Sequence, residues 1–93
     1  MDIKAHLATL FEAALAKAAP EAADAQVVIE RPRDAAHGDF ACNLALQLAK
    51  RLKVNPRQLA ERLAAAVAPD PYVAKLEVAG AGFINIRLAP RAR

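Results

Sequence analysis

Several residue types are scarce in this sequence, and their scarcity disfavours several kinds of chemistry. Serine is absent, Thr9 is the only threonine, and Cys42 is the only cysteine. Catalysis by a hydroxyl nucleophile is therefore poorly supported, and no internal disulfide can form. The two histidines, His6 and His37, lie far apart on unrelated segments, so the sequence predicts no metal site.

Long hydrophobic runs are also missing. The longest wholly apolar run, Leu63–Ala68, is far too short to cross a bilayer, and the N-terminal residues lack the regions of a secretory signal. A lone cysteine fits a reducing compartment. The prediction is a soluble, cytoplasmic protein with no membrane partner.

Aromatic residues make up only 4% of the 93 residues, whereas 56% are hydrophobic. This composition is typical of one globular domain, residues 1–93, with thin helices packed closely on a flatter layer. Charge is uneven: residues 1–46 contain four Lys/Arg and seven Asp/Glu, and residues 47–93 contain nine and three. A basic half can attract a polyanion, although solvated helix surfaces explain such clusters more often.

The sequence predicts three helices, over about residues 2–19, 41–52 and 56–68. Asp2 is a suitable N-cap for the first, and Pro20 stops it. Asp39 or a neighbour is expected to cap the second. Asn55 caps the third, because an N-cap residue directly before a proline is a helix-start signal.

The intervening segments predict strands over residues 26–30, 75–78 and 83–88, while residues 37–40 fit either a brief strand or a loop. Gly80 and Gly82 permit the positive φ angles of a tight hairpin turn between the last two strands. The chain order is α-β-β-α-α-β-β. The predicted fold class is α+β, a two-layer sandwich in which helices cover one face of an antiparallel four-stranded sheet.

The final predicted strand carries different side chains on its two faces. Its even-numbered residues are branched aliphatics and belong beneath the helices, so Phe83, Asn85 and Arg87 are expected to stand free on the uncovered face. A ring can stack on an unstacked base, an amide can pair with a base edge, and a guanidinium can meet a phosphate. Alternatively, a loop or a neighbouring domain covers Phe83, and Asn85 merely suits an exposed strand.

Four further positions carry side chains that can bind or react. Arg31 and Arg33 flank a proline in a loop, where they can contact a phosphate backbone or pair with neighbouring acids. His37 beside a carboxylate resembles a general-base pair, but a turn followed by a helix cap is the simpler interpretation. Cys42, expected on the first turn of the second helix, is predicted to be a buried structural thiol. No catalytic residue is predicted.

Two stretches together resemble a known family. They are ERPRDAAHGDFACNLALQLAKRLKVNPRQLAERL, residues 30–63, and VAGAGFINIRL, residues 78–88. In order and separation they are similar to the N-terminal additional domain of bacterial-type arginyl-tRNA synthetase (arginine–tRNA ligase). The pairing of a Gly-Asp-aromatic-Ala-x-Asn element with a Gly-Phe-Ile-Asn strand carries the resemblance, which covers essentially the whole chain.

The resemblance implies a domain that binds tRNA(Arg) and holds its outer corner, in the D-loop region. A class I catalytic domain of the same chain would join arginine to the 3′ end, using ATP with magnesium. In the family, an aromatic residue and an amide two positions apart on the last strand engage a D-loop base. The RNA-binding residues expected here are Phe83, Asn85, Arg87, Gly80, Gly82, Arg31 and Arg33.

The class I signatures, His-x-Gly-His and a Lys-Met-Ser-Lys-like loop, are absent from these 93 residues. The chain is therefore expected to be a fragment that binds no ATP or other cofactor and charges no tRNA by itself. A rival hypothesis is that the uncovered sheet face docks another protein or domain, with no direct RNA contact. A third, an independent small enzyme, has no convincing site in the sequence.

Overall fold

The computed structural model describes residues 1–92, which form three α-helices and a four-stranded antiparallel sheet. The helices are α1 (Ile3–Ala18), α2 (Leu44–Leu52) and α3 (Pro56–Ala66). The strands are β1 (Ile29–Glu30), β2 (Phe40–Cys42), β3 (Val73–Ala79) and β4 (Phe83–Leu88). Short 3₁₀ turns occupy Pro20–Ala22, Ala35–His37 and Pro90–Ala92. The predicted α+β class and the order α-β-β-α-α-β-β are confirmed.

The strands lie in the order β1-β2-β4-β3, so the last strand pairs with both β2 and β3 near the middle of the sheet. Ala41 of β2 and Glu77 of β3 are the two register partners of Asn85, and Glu30 of β1 is the partner of Ala41. Side chains of register partners lie on the same face of a sheet. These four residues therefore form one row across the sheet, on the face opposite the helices.

Both helix caps that had strong local signals are confirmed. The Asp2 carboxylate accepts a hydrogen bond from the Ala5 N–H at 3.1 Å, and the Asn55 side chain accepts one from the Gln58 N–H at 3.0 Å. Such bonds satisfy N–H groups that have no partner inside the helix. The residue that follows α2, Lys53, is its C-cap, and its backbone has the left-handed values φ 57° and ψ 45°.

The second helix begins later than predicted, because residues 40–42 belong to a strand that pairs with β1 and β4. The prediction that Asp39 or a neighbour caps the helix is wrong for Asp39. Its N–H donates to the Ile86 carbonyl at 2.8 Å, and its carboxylate accepts the Leu88 N–H at 2.8 Å. Cys42 lies at the centre of the sheet, opposite Ile84, and not on a helix. It is fully buried, as predicted.

The core lies between the helices and one face of the sheet. From β4 it contains Ile84, Ile86 and Leu88, all buried, which confirms the predicted inward face. The largest fully buried side chains from other elements include Leu7, Phe11, Phe40, Leu59 and Leu63. Strand β1 is shorter than the predicted 26–30 and β3 longer than 75–78. Within residues 1–92, no helix is both long and apolar enough to cross a membrane.

Candidate functional site

A cavity of about 670 Å³ opens on the sheet face opposite the helices. Strand residues and the β3–β4 turn supply its floor and one side, and a loop over residues 31–37 supplies the other side. The lining residues are Glu30, Arg31, Pro32, Arg33, His37, Ala41, Asn43, Ala79, Gly80, Phe83 and Asn85. Hydrophobic, amide, cationic and anionic groups therefore converge on one cavity.

Asn85 lies on the cavity floor and is only 8% exposed. The expectation that its amide stands free in solvent is wrong, because the loop over residues 31–37 and the neighbouring strands surround it. Among residues 1–92, no side chain or backbone group forms a hydrogen bond with the Asn85 side chain. Every fully enclosed side-chain nitrogen or oxygen among residues 1–92 has a hydrogen-bond partner. Because the Asn85 amide has none, it is not fully enclosed, and it contacts solvent through the cavity.

Phe83 lies beside Asn85 along the strand and is 43% exposed, as expected for a residue of the uncovered face.

Contacts with α3 hold the turn before Phe83 in place. The Arg57 guanidinium donates to the Gly80 carbonyl at 2.8 Å, and a Cβ added at Gly82 would lie 3.0 Å from the Pro56 carbonyl oxygen. Gly80 lines the cavity, whereas Gly82 packs against the start of α3. The two glycines thus shape the turn that presents Phe83.

Two of the predicted phosphate-binding arginines hold the cavity wall. Arg31 donates to the Asp39 carbonyl at 3.2 Å, and its guanidinium lies 4.4 Å from the centre of the Phe40 ring. Arg87 donates to the Ala36 carbonyl at 3.1 Å and does not line the cavity. A guanidinium over an aromatic face is a favourable contact. Both arginines therefore fix the loop against the sheet.

Arg33 and His37 differ from those two arginines. Both are exposed, both line the cavity, and neither side chain has a hydrogen bond or ion pair within the described residues. The sequence pattern around His37 favours a simple turn over a functional site, yet the 3₁₀ turn places His37 at the cavity. Glu30 and Asn43 were also missed. Strand alternation could have placed Glu30 on the uncovered face, since Ile29 is its inward neighbour.

The cationic lining comes from the acidic half of the sequence. Arg31 and Arg33 belong to residues 1–46, and no Lys or Arg of residues 47–92 lines the cavity. Three arginines of the basic half bond to protein groups instead: Arg51 to Asp24, Arg57 to the Gly80 carbonyl, and Arg62 to the Ala18 carbonyl. The uneven charge along the chain therefore does not locate the site.

The arrangement is suited to binding more than to covalent chemistry. Burial raises the pKa of the Cys42 thiol to about 11, so it stays protonated at neutral pH. No group of three His, Cys, Asp or Glu among the described residues could hold a metal ion. What the cavity offers is a ring, an unpaired amide, a carboxylate and two unbonded basic side chains. These groups match a planar, polar ligand with an anionic substituent.

The structure defines a small α+β domain whose sheet has helices on one face and a cavity on the other. Residues 5–88 match the model of the arginyl tRNA synthetase N terminal domain, and the chain belongs to this family. It is similar to the arginine–tRNA ligase of Dechloromonas aromatica, with 56% identity over 94% of this chain and 15% of the relative. The ligase of an Azoarcus species is 55% identical over 99% of this chain and 16% of the relative.

The chain thus spans about 15% of the length of these curated relatives. Solved structures agree on the fold. Arginyl-tRNA synthetase from Plasmodium falciparum matches 96% of this chain, and 16% of its own, with a TM-score of 0.85 at 18% identity. The Thermus thermophilus enzyme matches 97% of this chain, and 14% of its own, with a TM-score of 0.81 at 23% identity. At such identities the structural likeness establishes the fold alone.

Proposed function

We propose that this domain binds tRNA(Arg) through the cavity on its open sheet face and holds the D-loop at the outer corner of the tRNA. The catalytic domain of the parent ligase, its second partner, would then join arginine to the 3′ end with ATP and magnesium in the cytoplasm. The observation that carries the proposal is the Asn85 amide. It is 8% exposed, lacks a partner among residues 1–92, and opens into the cavity beside Phe83.

The Asn85 amide meets solvent through the cavity, so a ligand that enters displaces its water and must return the hydrogen bonds, or binding is disfavoured by about 1–3 kcal/mol. An unstacked base provides donors and acceptors at its edge, and proteins that read RNA sequence mostly target such loop bases. Phe83 can stack on the same base, which contributes about 1–3 kcal/mol. In this proposal Phe83 contacts the face of the base and Asn85 contacts its edge.

The basic residues take different roles in this proposal. Arg33 and His37 have no bonds within the described residues, so they are available to contact the phosphates that flank the bound base. Arg31 and Arg87 keep the loop over residues 31–37 in place, through the Asp39 and Ala36 carbonyls. Gly80 and Gly82 act by shaping the turn. The seven residues expected from the sequence thus separate into ligand contacts and supports.

The test compares Phe83→Ala with Val28→Ala in binding of a tRNA(Arg) transcript to the chain. Val28 is 42% exposed, close to the 43% of Phe83, and does not line the cavity. We expect Phe83→Ala to weaken binding about tenfold or more, because a stacking contact is lost. Val28→Ala is expected to bind like the parent. Equal dissociation constants for the two variants would contradict the proposal.

Salt dependence separates this proposal from the rival, a face that docks another protein or domain. Phosphate contacts release counterions, so the affinity for tRNA should fall steeply as salt rises, and Arg33→Ala should make the fall less steep. In the parent ligase, Asn85→Ala should raise the KM for tRNA(Arg) and leave the KM values for arginine and ATP unchanged. A tRNA affinity insensitive to salt and to Arg33 would favour the docking hypothesis.

A further inference from the structure

The turn before Phe83 is only weakly held by the hairpin itself. Residues 80–82 join β3 to β4, and both Gly80 and Gly82 have positive φ, at 55° and 152°. Glycine gives a chain more backbone freedom than any other residue. The hydrogen bond within the turn, from the Gly82 N–H to the Ala79 carbonyl, is long at 3.3 Å. To keep one conformation, such a turn depends on contacts from outside the hairpin.

Helix α3 provides those contacts at its first turn. The Arg57 guanidinium donates to the Gly80 carbonyl at 2.8 Å, a bond shorter than the one inside the turn and strengthened by the charge of its donor. The Pro56 backbone lies so close to Gly82 that an added Cβ would be 3.0 Å from the Pro56 carbonyl oxygen. The Asn55 side chain caps the helix and so fixes its start. The turn therefore rests on a well-defined helix end.

The Phe83 ring lies beside the residue that Arg57 holds. A Cβ added at Gly80 would be 3.9 Å from Cδ2 of the ring, a distance of ordinary van der Waals contact. Among residues 1–92, no aromatic or cationic side chain packs on the ring to fix its orientation. A displacement of the Gly80 backbone therefore changes the surface beside which the ring lies.

Arg57 itself lies outside the cavity. Its side chain is exposed, but it is not among the residues that line the cavity. We propose that Arg57 is a positioning residue for tRNA(Arg): by holding Gly80, it keeps the Phe83 ring in the orientation that stacks on the loop base. A ring that is already oriented loses less conformational freedom on binding, which raises affinity without a new contact. This inference rests on the proposed RNA-binding function and adds a residue that does not touch the ligand.

The test is a double-mutant cycle between Arg57 and Phe83, measured as binding of a tRNA(Arg) transcript to the chain. We expect Arg57→Ala to weaken binding by about three- to tenfold, because the turn and the ring must then be ordered on binding. In the Phe83→Ala background the same substitution should have no further effect, since there is no ring to orient. Arg57→Met removes the donor but keeps the apolar stem and its packing, so it should show the same loss as Arg57→Ala.

Arg62→Ala is the matched control. Arg62 is a second exposed arginine of α3, and it also donates to a backbone carbonyl, that of Ala18, at 2.6 Å. This carbonyl belongs to α1 and not to the hairpin, and Arg62 does not line the cavity. The control therefore removes the same charge and the same kind of bond from the same helix. We expect Arg62→Ala to bind tRNA(Arg) like the parent.

A second measurement, made without RNA, follows the turn directly. Backbone amide relaxation in nuclear magnetic resonance gives order parameters for residues 80–83 of the free chain. We expect Arg57→Ala to lower them from about 0.85, typical of a rigid backbone, toward about 0.6. Arg62→Ala should leave them unchanged.

Three outcomes would overturn the inference. If Arg57→Ala binds tRNA(Arg) as the parent does, the bond to Gly80 serves stability alone. If the loss persists in the Phe83→Ala background, Arg57 does not act through the ring, and a less steep salt dependence would then assign it a direct phosphate contact. If the order parameters of residues 80–83 stay the same, the turn does not depend on Arg57. The comparison of Phe83→Ala with Val28→Ala decides the proposed function separately, because neither variant alters Arg57.

Discussion

At the scale of single residues, the two asparagines Asn55 and Asn85 differ in what they do for the fold. The Asn55 side chain accepts the Gln58 N–H at the start of α3, whereas the Asn85 side chain has no partner among residues 1–92. The first satisfies a helix donor that would otherwise lack a bond. The second contributes no such bond, so its amide is better explained by a ligand than by stability.

This difference predicts opposite effects of two substitutions. Asn85→Leu is expected to leave the free energy of unfolding unchanged or to raise it by about 1 kcal/mol, because an apolar group replaces an amide that has no partner. It should abolish the affinity for tRNA(Arg). Asn55→Ala should lower the free energy of unfolding by about 1 kcal/mol, through loss of the cap, and leave tRNA binding intact. Urea unfolding and tRNA titration of both variants provide the measurement. A large loss of stability in Asn85→Leu would show that the amide is structural.

Gly38 is required for a different reason, since its backbone has φ 130° and ψ −170°. A Cβ at this position would lie 2.8 Å from the Ile86 carbonyl oxygen, closer than real contacts allow. Gly38 ends the loop over the cavity, and the Ile86 carbonyl accepts the Asp39 N–H. A side chain there would push the loop away from β4.

Gly38→Ala is accordingly expected to lower the free energy of unfolding by about 3 kcal/mol, from backbone strain together with the clash. Gly80→Ala is the comparison, because Gly80 also has positive φ, at 55°, but an added Cβ would meet nothing nearer than 3.9 Å. It should lose only about 1 kcal/mol. Thermal or urea unfolding of both variants distinguishes the two contributions. Equal losses would mean that the contact with Ile86 relaxes.

At the scale of the elements, helix α2 ends in a conformation that its sequence does not favour. Lys53 is left-handed, and its N–H is directed at the carbonyls of Ala49 and Lys50 in the manner of a helix C-terminus. Glycine is the usual residue at such a position because it has no Cβ to strain. Lysine there makes the α2–α3 corner less stable than it could be.

Lys53→Gly is therefore expected to raise the free energy of unfolding by about 0.5–1 kcal/mol. Lys50→Gly, three residues earlier in the last helical turn, should lower it by about 1 kcal/mol, because glycine there disfavours the helix. Both variants remove one lysine charge, so the difference between their free energies of unfolding isolates the effect on the backbone. Denaturant unfolding measures both. A loss of stability in Lys53→Gly would contradict the explanation.

The elements also show what could be predicted from sequence. The ends of α1 and α3 depend on residues next to them, Asp2 and Asn55, so local signals were sufficient. Strand β2 was mostly missed because Ala41 and Cys42 have no strong strand preference, and pairing with β4, distant in sequence, decides their conformation. Burial of Asn85 was missed because it depends on a loop held by Arg31 and Arg87 contacts that no periodicity reveals.

At the scale of the whole molecule, the reactivity of the Cys42 thiol measures how often the sheet opens. It pairs with Ile29 on one side and Ile84 on the other and is completely buried. Burial raises the pKa of its thiol from an ordinary 9.0 to about 11. Reaction with an alkylating reagent therefore requires the sheet to open, because both access and the thiolate are lacking in the folded state.

The same shift predicts a pH dependence of stability. Between pH 9.0 and about 11 the unfolded thiol loses its proton while the folded thiol keeps it, so stability falls as pH rises through this window. Other groups titrate in the same range, and the difference between the parent and Cys42→Ala isolates the thiol. We expect the parent to lose stability more steeply with pH than Cys42→Ala, by urea unfolding. If the free energy of unfolding depends on pH equally in the parent and in Cys42→Ala, the Cys42 thiol does not cause the loss of stability.

The position of β4 between β2 and β3 has a consequence for synthesis of the chain. The nascent polypeptide emerges from the ribosome N-terminus first, and β4 is the last of the four strands of this sheet to emerge. Until Phe83–Leu88 leaves the exit tunnel, β2 and β3 have no common neighbour, and neither the sheet nor the cavity floor can assemble. During that interval the three helices lack the surface on which they pack, so the unfinished domain exposes apolar side chains that chaperones recognise.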